Sequence, residues 1–215
     1  MVEAPSIEIT DPDDGGAALR SAVERIGSYD WLVLTSPNGV ERTFAHVPDA
    51  RALAGVQVAA VGAGTAAALA RHRVVADLVP DAFVGEGLVA AFPAPPAGGG
   101  RVLVCRAAVA RDIVPDGLRA AGWEVDVVDA YRSRPVPLTA AQADAVAAAD
   151  AVTFASSSSV TNLCDAMGAE RLPAALVSIG PVTSDTIRAH GLSVTAEADP
   201  HTIDGLVAAV LATLV

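Results

Sequence analysis

Four short stretches of this 215-residue chain combine small residues with hydroxyls: Thr35-Ser36-Pro37-Asn38-Gly39, Gly62-Ala63-Gly64-Thr65, Ser156-Ser157-Ser158-Ser159 and Gly180-Pro181-Val182-Thr183. Small side chains let a ligand approach the backbone, and hydroxyls donate to carboxylate or phosphate oxygens. Each stretch lies between an apolar run and a helical one, where free backbone N–H groups at a helix start point at an anion. Ser and Thr are also preferred helix N-caps, which accounts for any one stretch taken alone. Four in one short chain point to a shared anionic ligand, with Thr35, Ser36, Asn38, Thr65, Ser156, Ser157 and Thr183 as candidate contacts.

Tyr131 is one of only two tyrosines and sits where a strand runs into Arg132-Ser133-Arg134-Pro135. A phenol there could donate a proton or a hydrogen bond, or serve as an aromatic anchor for the connection. Arg106 and Arg111 flank the next helix start, where they either pair with ligand carboxylates or stay solvated. Val61-Gly62-Ala63-Gly64-Thr65-Ala66-Ala67 matches a GxGxxA dinucleotide fingerprint only weakly, because its counterpart at Gly180 lacks the second glycine. His46, His72, His190 and His201 show no metal-ligand spacing, and Cys105 and Cys164 form no CxxC. Neither a metal nor a cofactor is expected.

The elements that must position these residues come in two related sets. Gly62, Thr65, His72 and Gly87-Leu88-Val89-Ala90-Ala91 recur 118 positions later, and Asp30, Ser36 and Val40 recur 120 positions later. Short apolar strands alternate with Ala-rich helices in each copy, as in Trp31–Leu34, Ser36–His46, Val56–Val61 and Thr65–Arg71, which predicts parallel sheets with helical crossovers. The second copy opens with a strand at Arg101–Cys105, a helix at Asp112–Ala121 and a strand at Glu124–Ala130. Matching Val2-Glu3-Ala4 with Val128-Asp129-Ala130 leaves the first copy short of an opening strand and helix of about 27 residues, so a truncated chain or misplaced start is expected. Phe92–Gly100 reads as the connection between copies and Arg134–Pro137 as an extended linker.

Composition narrows the classes. Hydrophobic residues make up 52% of the chain, ample for a core, and the net charge of −11 argues against nucleic-acid or anionic-membrane partners. Every apolar run is broken well before the ~18 residues of a membrane span. The acidic start, Met1–Asp14, lacks the pattern of a signal peptide, so the cytoplasm is the expected location.

In their order and spacing, WLVLTSPNGV (31–40), VGAGT (61–65), RAAVARDIVPDGL (106–118), VVDAY (128–131), VTFAS (152–156) and IGPVT (179–183) resemble the uroporphyrinogen-III synthase family across essentially the whole chain. The resemblance implies two α/β domains joined by a two-stranded ribbon near Ala4–Thr10 and Asp129–Val136, with a cleft between them. A central domain would span 8–130 and the second domain 1–7 and 131–215. It implies a cofactor-free cyclisation of hydroxymethylbilane to uroporphyrinogen III, with loss of water and inversion of ring D, in heme, siroheme and cobalamin biosynthesis. Tyr131 would fall on the family's cleft tyrosine and assist departure of the hydroxyl; Thr35, Ser36, Thr65, Ser156 and Thr183 would fall on its hydroxyl turns. Transient contact with hydroxymethylbilane synthase is a further implication. Ala155 and Ser157 depart from the Thr and Pro that relatives often carry there. A two-lobed module that binds an anionic ligand without changing it is the alternative, and a nucleotide-dependent enzyme the third.

Overall fold

The computed structural model describes residues 2–5 and 7–214. Met1, Ser6 and Val215, which the expected ribbon and second domain include, lie outside the described residues. The chain divides into two compact units: a central unit of residues 9–133 and an end unit of residues up to 8 and from 134 onward.

The central unit is built on a five-stranded sheet ordered β1-β5-β4-β2-β3, from β1 (Ile7–Thr10), β2 (Trp31–Leu34), β3 (Gln57–Ala60), β4 (Arg101–Ala107) and β5 (Glu124–Pro135). The pairs β2–β3, β2–β4 and β4–β5 are parallel. All four residues of β2 are buried, as a strand covered on both faces requires. The helices are α1 (Ala17–Glu24), α2 (Pro37–Phe44), α3 (Ala63–Arg71), α4 (Gly85–Ala91) and α5 (Ile113–Ala120). One face of the sheet packs Leu32, Leu34, Leu103 and Cys105 with Val40, Phe44 and Leu69 of α2 and α3. The other packs Trp31, Val33, Val102 and Val104 with Leu88, Val114 and Leu118 of α4 and α5. Each large apolar side chain so buried contributes about 1.5–3 kcal/mol relative to exposure.

The end unit holds a three-stranded parallel sheet ordered β6-β7-β8, from β6 (Val152–Phe154), β7 (Leu176–Ser178) and β8 (Ala196–Glu197). Its helices are α6 (Ala140–Ala147), α7 (Ser157–Met167), α8 (Pro181–Ala189) and α9 (Ile203–Thr213). Thr139 and Gln142 form a reciprocal capping box that starts α6.

The sequence repeat survives as register. Leu34 pairs with Ala60 as Phe154 pairs with Ser178, and the bridge Ala59–Leu78 reappears as Val177–Ala196. The expected Arg134–Pro137 linker is corrected at its start, since Arg134 and Pro135 extend β5.

Candidate functional site

The four hydroxyl-bearing stretches lie at the carboxyl ends of β2, β3, β6 and β7, where a parallel sheet presents helix N-termini. They meet in pairs within each unit. In the central unit a Cβ on Gly64 would touch Pro37 Cγ at 3.8 Å, and in the end unit Ser157 Oγ donates to the Val182 carbonyl at 3.1 Å. A proline at 157 could not make that bond.

Ser36 caps α2 and is followed by Pro37 at the first helical position, a strong local start signal. Its Oγ accepts the Gly39 N–H at 3.1 Å and lies 2.9 Å from the Tyr131 hydroxyl. Gly39 keeps this corner tight: a Cβ there would stand 3.3 Å from Ser36 Oγ and 3.6 Å from the Cys105 carbonyl. Tyr131 is only 7% exposed and packed in the core of the central unit. The Ser36–Tyr131 bond uses one of two hydroxyl hydrogens and leaves the other for a third group. Half-buried Ser36 is therefore the more accessible member of the pair.

The end unit repeats the cap. Ser156 Oγ accepts the Ser159 N–H at 3.2 Å and pairs with Ser158 Oγ at 3.1 Å, while Ser159 Oγ donates to the Ser156 carbonyl at 2.6 Å. Thr35 is half-buried beside Ser36, and Asn38 is exposed in the first turn of α2. Thr65 and Thr183 stand apart from this pattern. Each is 4% exposed in the first turn of its helix, so burial draws both side chains into their units while Gly62 and Gly180 hold the cap positions.

Neither arginine candidate is a free guanidinium. Arg106 Nη1 pairs with Asp112 at 2.7 Å and Arg111 Nη1 with Glu86 at 3.2 Å. Arg106 is mostly buried, with Nε lacking a partner, whereas the Arg111 pair is exposed and exchangeable with a ligand carboxylate at little cost. Asp126 accepts from Tyr29 at 2.6 Å and from Arg101 at 3.0 Å. Burial, with a smaller contribution from Asp126, raises the Tyr29 phenol above its usual range.

His72 and His190 are the C-cap residues of α3 and α8, and each turns its ring to the neighbouring helix, 3.0 Å from Glu41 and 3.4 Å from Thr161. Cys105 is wholly buried and its thiol is pushed up to about 12 by that burial. Among the described residues, no group of three His, Cys, Asp or Glu side chains could hold a metal ion, and no helix is long and apolar enough to cross a membrane.

One cluster escaped the sequence reading. Ser184 Oγ donates to Glu197 at 2.5 Å and lies 2.6 Å from Ser178 Oγ, with both serines fully buried. Ser184 gives its single hydroxyl hydrogen to Glu197, so Ser178 donates to Ser184. His201 packs on the adjoining turn, close enough that a Cβ on Gly180 would reach its ring at 3.3 Å. The repeat partners Ala60, Ala66 and Val79 are apolar, and that contrast was the available signal.

Taken together, two parallel-sheet units, each with one serine-capped and one glycine-capped turn at its strand ends, define an α/β protein with helix N-termini gathered beyond those ends. A family model described as uroporphyrinogen-III synthase HemD matches residues 1–208. Uroporphyrinogen-III synthase of Synechococcus elongatus is 34% identical over 98% of this chain and 84% of its own. A putative uroporphyrinogen-III synthase of Methanothermobacter thermautotrophicus is 30% identical over 96% of this chain and 86% of its own. The fold is similar to that of uroporphyrinogen-III synthetase from Helicobacter pylori, with a TM-score of 0.68 at 16% identity over 99% of this chain and 95% of that one. A mutant uroporphyrinogen III synthase from Thermus thermophilus gives 0.65 at 18% identity, over 98% and 87%. The chain belongs to the uroporphyrinogen-III synthase family, cyclising lyases of tetrapyrrole biosynthesis.

Proposed function

We propose that this protein cyclises hydroxymethylbilane to uroporphyrinogen III, with Tyr131 and Ser36 acting together on the departing hydroxyl. Family membership across residues 1–208 supports the reaction. The 2.9 Å contact between Ser36 and Tyr131 supports the roles. In the first step the hydroxyl of the ring A hydroxymethyl group takes the spare proton of the pair and leaves as water, while the pyrrole nitrogen supplies the electrons as the C–O bond breaks and the methylene stays on ring A. Ring D then attacks through its substituted carbon and inverts through a spiro intermediate. Holding the flexible bilane folded is worth more than any one proton transfer, because it turns an encounter between distant rings into a unimolecular step.

The carboxylates of the substrate fit the caps: Thr35, Ser36 and Asn38 in the central unit, and Ser156 and Ser157 in the end unit, offer hydroxyl, amide and backbone donors. Arg111 is the cation most easily released to a ligand, since its pair with Glu86 is exposed. Arg106 serves to order the start of α5 through Asp112. Thr65 and Thr183 support their turns from within. A cytoplasmic setting fits the two free, buried thiols of Cys105 and Cys164.

The test couples the purified chain to a source of hydroxymethylbilane and separates the product isomers. Type III product is expected; type I alone, the outcome of spontaneous closure, overturns the proposal.

A further inference from the structure

Of the four phenylalanines in the chain, Phe44 and Phe154 are buried and Phe92 packs against Trp31 and Trp123. Phe83, just ahead of α4, is 59% exposed. A single exposed apolar side chain is ordinary. The seat of this one is not. Phe83 lies on the glycine-capped turn after β3, where a Cβ on Gly62 would stand 3.2 Å from Phe83 Cβ and 3.6 Å from Cγ. The Gly62 backbone is extended, a conformation open to any residue, so the glycine serves to make room for the ring.

The duplication repeats the seat. The position 118 residues after Phe83 is His201, whose ring packs on Gly180, the repeat partner of Gly62. Gly180 is also extended, and His201 is exposed as Phe83 is. Each unit thus carries a flat, solvent-facing ring on a turn without a side chain. Had either ring served only to fill a core, it would be buried. The two differ in what they offer. His201 Nδ1 donates to the Ala198 carbonyl at 2.8 Å, whereas Phe83 has only an aromatic face and edge.

The neighbours of Phe83 define the ligand. The turn it covers meets the turn after β2, since a Cβ on Gly64 would touch Pro37, the residue between Ser36 and Asn38. Three residues past Phe83, Glu86 holds Arg111 in an exposed, exchangeable pair at 3.2 Å. An aromatic face beside hydroxyl donors and a releasable guanidinium suits a flat ring that itself carries carboxylates.

We propose that Phe83 is a stacking platform for one pyrrole ring of the substrate, whose carboxylates reach the cap of α2 and Arg111. The ligand rests on the cyclase reading given above; the platform rests on the seat of the ring. Packing of a pyrrole on Phe83 is the same before and during the chemical step, so it strengthens binding and leaves turnover unchanged.

The experiment compares the full chain with Phe83→Leu, which keeps apolar bulk without an aromatic face, and Phe83→Tyr, which keeps the face. Calorimetric titration with uroporphyrinogen III, held reduced, and KM for hydroxymethylbilane should both weaken by roughly threefold to tenfold in Phe83→Leu, with kcat and Tm unchanged, and Phe83→Tyr should restore both. A flat titration series overturns the platform, and so does a loss in Phe83→Leu that comes with a lower Tm and a lower kcat, the mark of a structural role. Type I product alone from the unsubstituted chain overturns the cyclase reading instead. The titration needs no turnover, so in that case too weaker binding by Phe83→Leu upholds the platform and a flat series overturns it.

Discussion

Ser36 Oγ lies 2.9 Å from the Tyr131 hydroxyl, across 95 positions of sequence, and the same oxygen caps α2. One atom thus ties helix entry to the position of the phenol.

Tyr131→Phe removes the shared proton and keeps the buried ring. kcat should fall by roughly a hundredfold, the lower end for general acid catalysis, while Tm moves little. Isomer-resolved kinetics and a melting curve read both; unchanged kcat would remove the assigned role.

Ser36→Ala loses the cap and the phenol's partner at once. Stability should drop by about 1 kcal/mol and kcat should fall toward that of the Tyr131 variant, with non-additive effects when the two are combined. Ser36→Thr keeps the oxygen and should restore both.

Gly117→Ala would place a Cβ 2.6 Å from Val89, a β-branched side chain with little room to move. Separating α4 from α5 should cost about 1–3 kcal/mol in denaturant unfolding. Gly98→Ala, with nothing within 4 Å, should cost far less.

Cys105 stays a thiol in the folded chain up to about pH 12, while in the unfolded chain it ionises near 9. The folded state therefore holds the proton longer, so its stabilising effect is complete below pH 9 and is lost as pH rises from 9 to about 12. Cys105→Ala should flatten the fall of stability across that window. Alkylation of Cys105 in the native chain should be slow at pH 8, and rapid labelling would contradict the burial.

Much of this was legible because the signals are local. Ser36 with Pro37, and Ser156, announce their helices within four residues, and the 118- and 120-residue spacings fix which turns correspond. What stayed hidden depends on partners far along the chain. Burial of Thr65 and Thr183, the pairing of Arg111 with Glu86 and the Ser36–Tyr131 contact are set by packing between elements that no short window contains. Residue type alone made each of those hydroxyls look equally available.

The proton chain from Ser178 through Ser184 to Glu197 sets a limit on how far the duplicated halves remain exchangeable. Grafting the β7–α8 segment onto the central unit would bring two serine hydroxyls to where Val79 offers no acceptor, and the reverse graft would leave Glu197 facing alanines. Each such chimera would desolvate polar groups without partners, at about 1–3 kcal/mol apiece. The two copies, though still congruent in backbone register, have become chemically committed to their own positions.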